Sequence, residues 1–205
     1  MFPNIPDISI INNDPTLVRY VSAAQQLSEI LNINKVQPPN FIYRQSPYFT
    51  VAPRTVIAVC SHMQDDRGWD LSGYYINNVE NISPHFVIYQ NGNVVKHIAL
   101  EDTSKMIPHY TFSPMAMPQQ NPDTFCVSIM HEGYIRQDMG EGYGCLTKIQ
   151  FLASVQLQCW IASQLPTIKY LVGHSLFDSN SPSCPGLLFP WVMIKSMMPS
   201  YTIMY

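Results

Sequence analysis

Charge is what this chain has least of. Of its 205 residues, 11 are Lys or Arg and 14 are Asp or Glu, so 12% are charged. An average soluble protein carries about 25%. The formal net charge is −3, which gives no electrostatic case for nucleic acid as a partner. So weakly charged a surface is either covered by other subunits in an assembly or solvated by Ser, Asn, Gln, Thr and Tyr. Long apolar runs are also missing. No stretch approaches the roughly 18 residues of a membrane span. The opening MFPNIPDISI has neither a basic start nor a long apolar core, so it does not read as a secretory signal. A role outside the cell then needs another export route, release by lysis, or delivery in a virion-like particle. The five cysteines, Cys60, Cys126, Cys145, Cys159 and Cys184, are odd in number and irregularly spaced, which argues against a disulfide framework. No internal repeat or low-complexity tract is present.

What is there is a core. Hydrophobic residues make up 46% of the chain, and the length suits one domain with an extension. Residues 1–50 read as the extension. In it, Asn13 or Asp14 can cap a helix, Pro15 suits its first position, and Leu17, Val21, Ala24, Leu27 and Leu31 recur at helical spacing. Residues 51–205 read as the domain. Arg54 to Cys60 is a run fit for a buried strand, and residues 63–82 read as loop. HFVIYQNGNVVKHIAL is a hairpin around Asn91-Gly92. Residues 103–124 are irregular. Phe125 to Met130 is another buried strand. Thr147 caps a helix that Pro166 stops. Ile168 to Val172 is a further strand, and a short helix begins near Pro190. This order predicts an α/β fold, a mixed central sheet with flanking helices, plus an N-terminal helical extension.

The segment GHSLFDSNSPSCPGLLFPW, from Gly173, carries the chemistry. It follows an apolar strand and holds His174 and Cys184. Imidazole and thiolate suit zinc, and a catalytic zinc needs three protein ligands and one open position. Spacing alone leaves two readings open, a metal site and a hydrogen-bonded polar loop.

The whole segment resembles G-H-S-D-I-x-P-x-R-K-x-D-P-G-x-x-F-P-W of the zinc-dependent N-acetylmuramoyl-L-alanine amidases and peptidoglycan recognition proteins. Ile82 to Ile88 with Asn91-Gly92 is similar to their V-S-x-H-Y-x-I…D-G. Glu101-Asp102-Thr103 with Pro108-His109 resembles E-D-x-A-W-H. Cys126 to Tyr134 resembles S-I-G-I-E-H-E-G-Y. The order agrees over residues 54–195. The resemblance implies zinc as cofactor, His174 and Cys184 as ligands, and a groove for a peptidoglycan stem peptide.

Three positions depart from it. The best register of the first-strand motif V-I-H-x-T puts Val59 where the first zinc histidine belongs. Met130 stands at the catalytic Glu, and Pro182 at the Lys that helps polarise the scissile carbonyl. His62, three residues past Val59 and beyond the expected strand end, is the substitute ligand that can swing back. Cys60 is the other candidate if the register slips by one. His109 and His85 are assigned to the substrate groove; the alternatives are a solvated loop residue for His109 and a structural one for His85. His131 and Glu132 read as acid–base groups or as a solvated strand end. Asp178 either supports His174 or forms a turn.

Three functions follow. The first is a peptidoglycan-binding or structural domain with impaired catalysis. The second is an active zinc amidase cleaving the bond between the muramoyl lactyl group and L-alanine. The third is a scaffold subunit of a phage particle or tail, meeting other subunits through residues 1–50.

Overall fold

The computed structural model describes residues 37–51, 55–64, 70–107, 110, 117–133, 146–178, 184–186, 188–198 and 200–204. The expected helix around residues 13–31, Cys145, His109 and Pro182 lie outside these residues.

The architecture is one seven-stranded mixed sheet flanked by helices. In chain order the elements are β1 (Phe41–Tyr43), β2 (Ala58–Gln64), α1 (Leu71–Asn77), β3 (Phe86–Ile88), β4 (Val94–Lys96), β5 (Cys126–Glu132), α2 (Lys148–Gln164), β6 (Tyr170–Gly173), α3 (Trp191–Met197) and β7 (Thr202–Met204). The sheet order is β1-β4-β3-β5-β2-β6-β7. The β3–β4 hairpin is antiparallel and every other pairing is parallel. β1 lies upstream of residue 51, so the sheet reaches back across the expected boundary of the extension.

Period-two alternation sorts the central strands onto two faces. Val59, Met63, Val127, Ile129 and Leu171 pack with Phe151, Val155 and Ile161 of α2 and with Met193 and Ile194 of α3. Ala58, Cys60, Met130 and Val172 pack on the other side with Tyr75 of α1, Ile107 and Phe177. Each large apolar side chain taken fully from water contributes about 1.5–3 kcal/mol. α2 starts as expected: Thr147 Oγ1 accepts from Gln150 N at 3.1 Å, and the Gln150 side chain reaches back to Thr147 N. Gln150 Nε2 then donates to the carbonyls of Ile88 and Glu132 at 3.0 and 2.8 Å. This ties the helix start to the strand ends. The hairpin turns at Gly92, whose φ of 84° and crowding by Ile149 leave no room for a Cβ.

Two expectations are corrected here. β2 does not end at Cys60; it continues to Gln64, paired with β5 over its full length. The region 63–82, expected as loop, contains α1.

Candidate metal centre

The longer β2 changes the site. His62 sits inside the strand, directly opposite Met130 of β5, and is fully buried. Val59 is three residues away, an odd step, so it faces α2 on the opposite side of the sheet. The register that placed Val59 at the ligand position therefore fails on sheet geometry. His62 needs no swing to reach the site face, because the alternation of its own strand puts it there with Ala58 and Cys60.

β6 pairs with β2 and ends at Gly173, opposite Ser61. His174 follows immediately, at the carboxyl end of a parallel strand, where open α/β sheets place their sites. The loop beyond is closed by Ser175 N donating to the Cys184 carbonyl at 2.9 Å. Gly173 permits this closure: a Cβ there would lie 3.1 Å from Pro185 Cδ and 3.4 Å from the Cys184 oxygen. Cys184 comes back against β2, and Met63 N donates to its Sγ at 3.3 Å. The strand that carries His62 thus also holds Cys184.

Together these contacts bring His62, His174 and Cys184 to one point, with one ligand atom from each within 4.8 Å of the others. The His62 and His174 rings lie 4.4 Å apart. Both nitrogens of His62 and Nε2 of His174 are buried without a hydrogen-bond partner. An unmet buried polar atom costs about 1–3 kcal/mol, so buried nitrogens without partners on both rings call for further partners at this point, one of which can be a metal ion bound through one nitrogen of each ring. Burial holds His62 well below its ordinary range, reinforced by His174 and His131. Burial also lowers His174, while Asp178 acts in the opposite sense. Burial pushes the Cys184 thiol up to about 12; the Met63 N–H opposes this and Asp178 adds to it. Neutral imidazoles and a thiol that a divalent cation can deprotonate are the donor set of zinc, and three such ligands leave one coordination position open. The residues present fit that metal. Cys60 faces the same side but does not belong to the cluster.

The neighbouring histidines do other work. His131 is fully buried within β5, on the α2 face. The His62 carbonyl can only accept, so His131 Nδ1 donates to it at 2.9 Å. Nε2 then accepts from Ser154 Oγ at 2.9 Å, and Ser154 accepts from Gln158 Nε2 at 3.0 Å. This relay braces the backbone of His62 and was missed in sequence. Glu132 is likewise engaged, accepting from Gln90 N at 2.6 Å. His131 is therefore not a solvated strand end, whereas Glu132 closes β5 and stays partly exposed. His85 is corrected too. It is fully buried, takes Ser128 N on Nδ1 at 3.1 Å and donates from Nε2 to the Asp102 carbonyl at 3.1 Å. It joins β3, β5 and the following loop and presents no nitrogen to a groove. Met130 is 2% exposed on the site face, so the position beside His62 carries no carboxylate.

No protein-family model and no curated protein sequence matches the chain. Solved structures do. The endolysin N-acetylmuramoyl-L-alanine amidase LysCS of Clostridium intestinale URNW is 15% identical with a TM-score of 0.57, over 80% of this chain and 99% of that one. A selenomethionine derivative of AmpD is 15% identical at a TM-score of 0.58, over 82% and 98%. Drosophila PGRP-LB in complex with tracheal cytotoxin is 14% identical at 0.51, over 82% and 99%. At these identities the likeness is one of fold: a mixed seven-stranded sheet with flanking helices, shared with N-acetylmuramoyl-L-alanine amidases and peptidoglycan recognition proteins.

Proposed function

We propose that this chain is a zinc-dependent hydrolase of peptidoglycan that cleaves the amide between the muramoyl lactyl group and L-alanine. The observation that carries the reading is the convergence of one ligand atom each from His62, His174 and Cys184, buried on a fold shared with amidases. The substrate class is supported by neighbours such as Escherichia coli AmiD, whose structure holds anhydro-N-acetylmuramic acid-L-Ala-D-gamma-Glu-L-Lys. His62, His174 and Cys184 would hold the zinc, which when bound would supply Lewis-acid chemistry for amide hydrolysis. The protein's own part is to hold the ligands. Met63 N–H steadies the Cys184 sulfur, His131 fixes the His62 backbone, and the closed loop sets His174 against β2.

One observation favours a second reading, binding without cleavage. Met130 occupies the place of the resembled family's catalytic Glu, and loss of a general base costs about 10²–10⁴ in rate. The test is incubation of zinc-loaded protein with purified sacculi, scoring new L-alanine amino termini by mass spectrometry. Release that a chelator and His62→Ala both abolish supports hydrolysis. Sacculus binding without release moves the protein to the second reading. Neither binding nor release overturns both and leaves the scaffold role.

A further inference from the structure

One carboxylate stands beside the three donors. Asp178 lies on the loop between His174 and Cys184, is 8% exposed, and places Oδ2 3.8 Å from His174 Nε2. The backbone arranges this meeting. Phe177 N and Asp178 N both donate to the His174 carbonyl, at 2.9 and 3.3 Å. This single turn sets residues i and i+4 side by side. Nε2 is buried and has no hydrogen-bond partner. At 3.8 Å the contact is too long for a hydrogen bond, and a side-chain shift of about 1 Å closes it.

We propose that Asp178 is the positioning residue of the metal centre: it accepts a hydrogen bond from Nε2–H of His174, fixes the ring's tautomer and presents Nδ1 to the metal. A neutral imidazole has one N–H and one lone pair, and a carboxylate can only accept. With the N–H turned to Asp178, the lone pair lies on Nδ1. Carboxylate–histidine–metal chains of this kind raise ligand basicity and fix ring orientation. The two histidines are then held by different means, His174 through its ring and His62 through its backbone carbonyl. The sequence places Asp178 four residues from His174, while the resembled motif has its aspartate two residues on, so the motif itself does not supply this contact.

The inference rests on the metal-centre reading, and the experiment separates the two. Nitrogen-15 NMR of the histidine rings in the zinc-loaded full chain is expected to show His174 protonated at Nε2 and metal-bound at Nδ1. Zinc affinity from chelator competition is expected to fall about 10–100-fold in Asp178→Asn and to recover in part in Asp178→Glu. A purely structural role would change the melting of the metal-free protein and leave the tautomer alone. Metal on Nε2, or undiminished affinity in Asp178→Asn, overturns the proposal while leaving the centre intact. Wild-type protein that takes up no zinc overturns both. If Asp178→Asn does not fold, the wild-type ring spectrum decides.

Discussion

Lowering the pH of the metal-free protein from 6.5 to 5 should remove about 4 kcal/mol of folding stability. Two buried histidines carry the effect. His131 is held at about 4 by burial, with its bond to the His62 carbonyl opposing the shift. His97 is also held at about 4, again chiefly by burial, with Nε2 on Ser72 Oγ at 2.9 Å. Both return to about 6.5 in the unfolded chain. Between 4 and 6.5 the unfolded chain binds protons that the folded chain refuses, so stability rises with pH across that window. The slope is about 1.4 kcal/mol per pH unit and per group. Over 1.5 units each histidine contributes about 2 kcal/mol. Above 6.5 the slope fades as the unfolded histidines lose their protons and is flat by about pH 7.5, and below 4 it fades again. His62 and His174 are lowered in the same direction and can only steepen the slope. Asp70, held at about 2 by its bond to Arg44, loses its contribution only below the window. The assay is urea unfolding with chelator present at pH 7, 6.5, 5.5 and 5, on wild type and on His97→Asn. The variant should lose about 1.4 kcal/mol per pH unit of slope. A wild-type profile that is flat between 6.5 and 5 would refute the neutral, buried assignment of these residues.

Further perturbations test the packing around the site. Gly173→Ala should push Pro185 and the Cys184 carbonyl away from β6, weakening zinc binding in chelator competition more than it lowers melting temperature. Met130→Glu places a carboxylate among Cys60, Tyr75 and Val172. It should destabilise the metal-free protein by about 1–3 kcal/mol, and zinc should recover part of that loss in thermal unfolding. Thr147→Ala removes the α2 cap and its 2.5 Å bond to the Gln90 carbonyl. A loss of about 1 kcal/mol is expected, read by denaturant midpoint, with zinc affinity unchanged.

Much of the scaffold was legible because local chemistry agreed with the fold. Asn91-Gly92 between two β-rich runs gave the hairpin, and Thr147 with Gln150 marked the start of α2. The loop from Gly173 to Gly186 announced two of the clustered donors by residue type. β2 was misread because its second half, Ser61, His62 and Gln64, is polar, although Ser61 and His62 are buried. Polar residues inside a central strand look like a strand end when apolar runs are the only signal. Period two held the remedy: Val59 and His62 are an odd number apart, so they cannot share a face, and only one fits beside His174. α1 escaped notice because Leu71–Asn77 is short, contains Gly73 and has no capping side chain. The contacts of His131 depend on which residues meet across strands, which spacing alone does not supply, whereas Asp178 beside His174 was one of two readings its position left open.

The central claim is that His62, His174 and Cys184 form one metal centre. Elemental analysis of untagged, purified protein beside His62→Ala tests it most directly. The account predicts about one zinc per wild-type chain, lost in the variant. No zinc in the wild type, or equal zinc in both proteins, would contradict it.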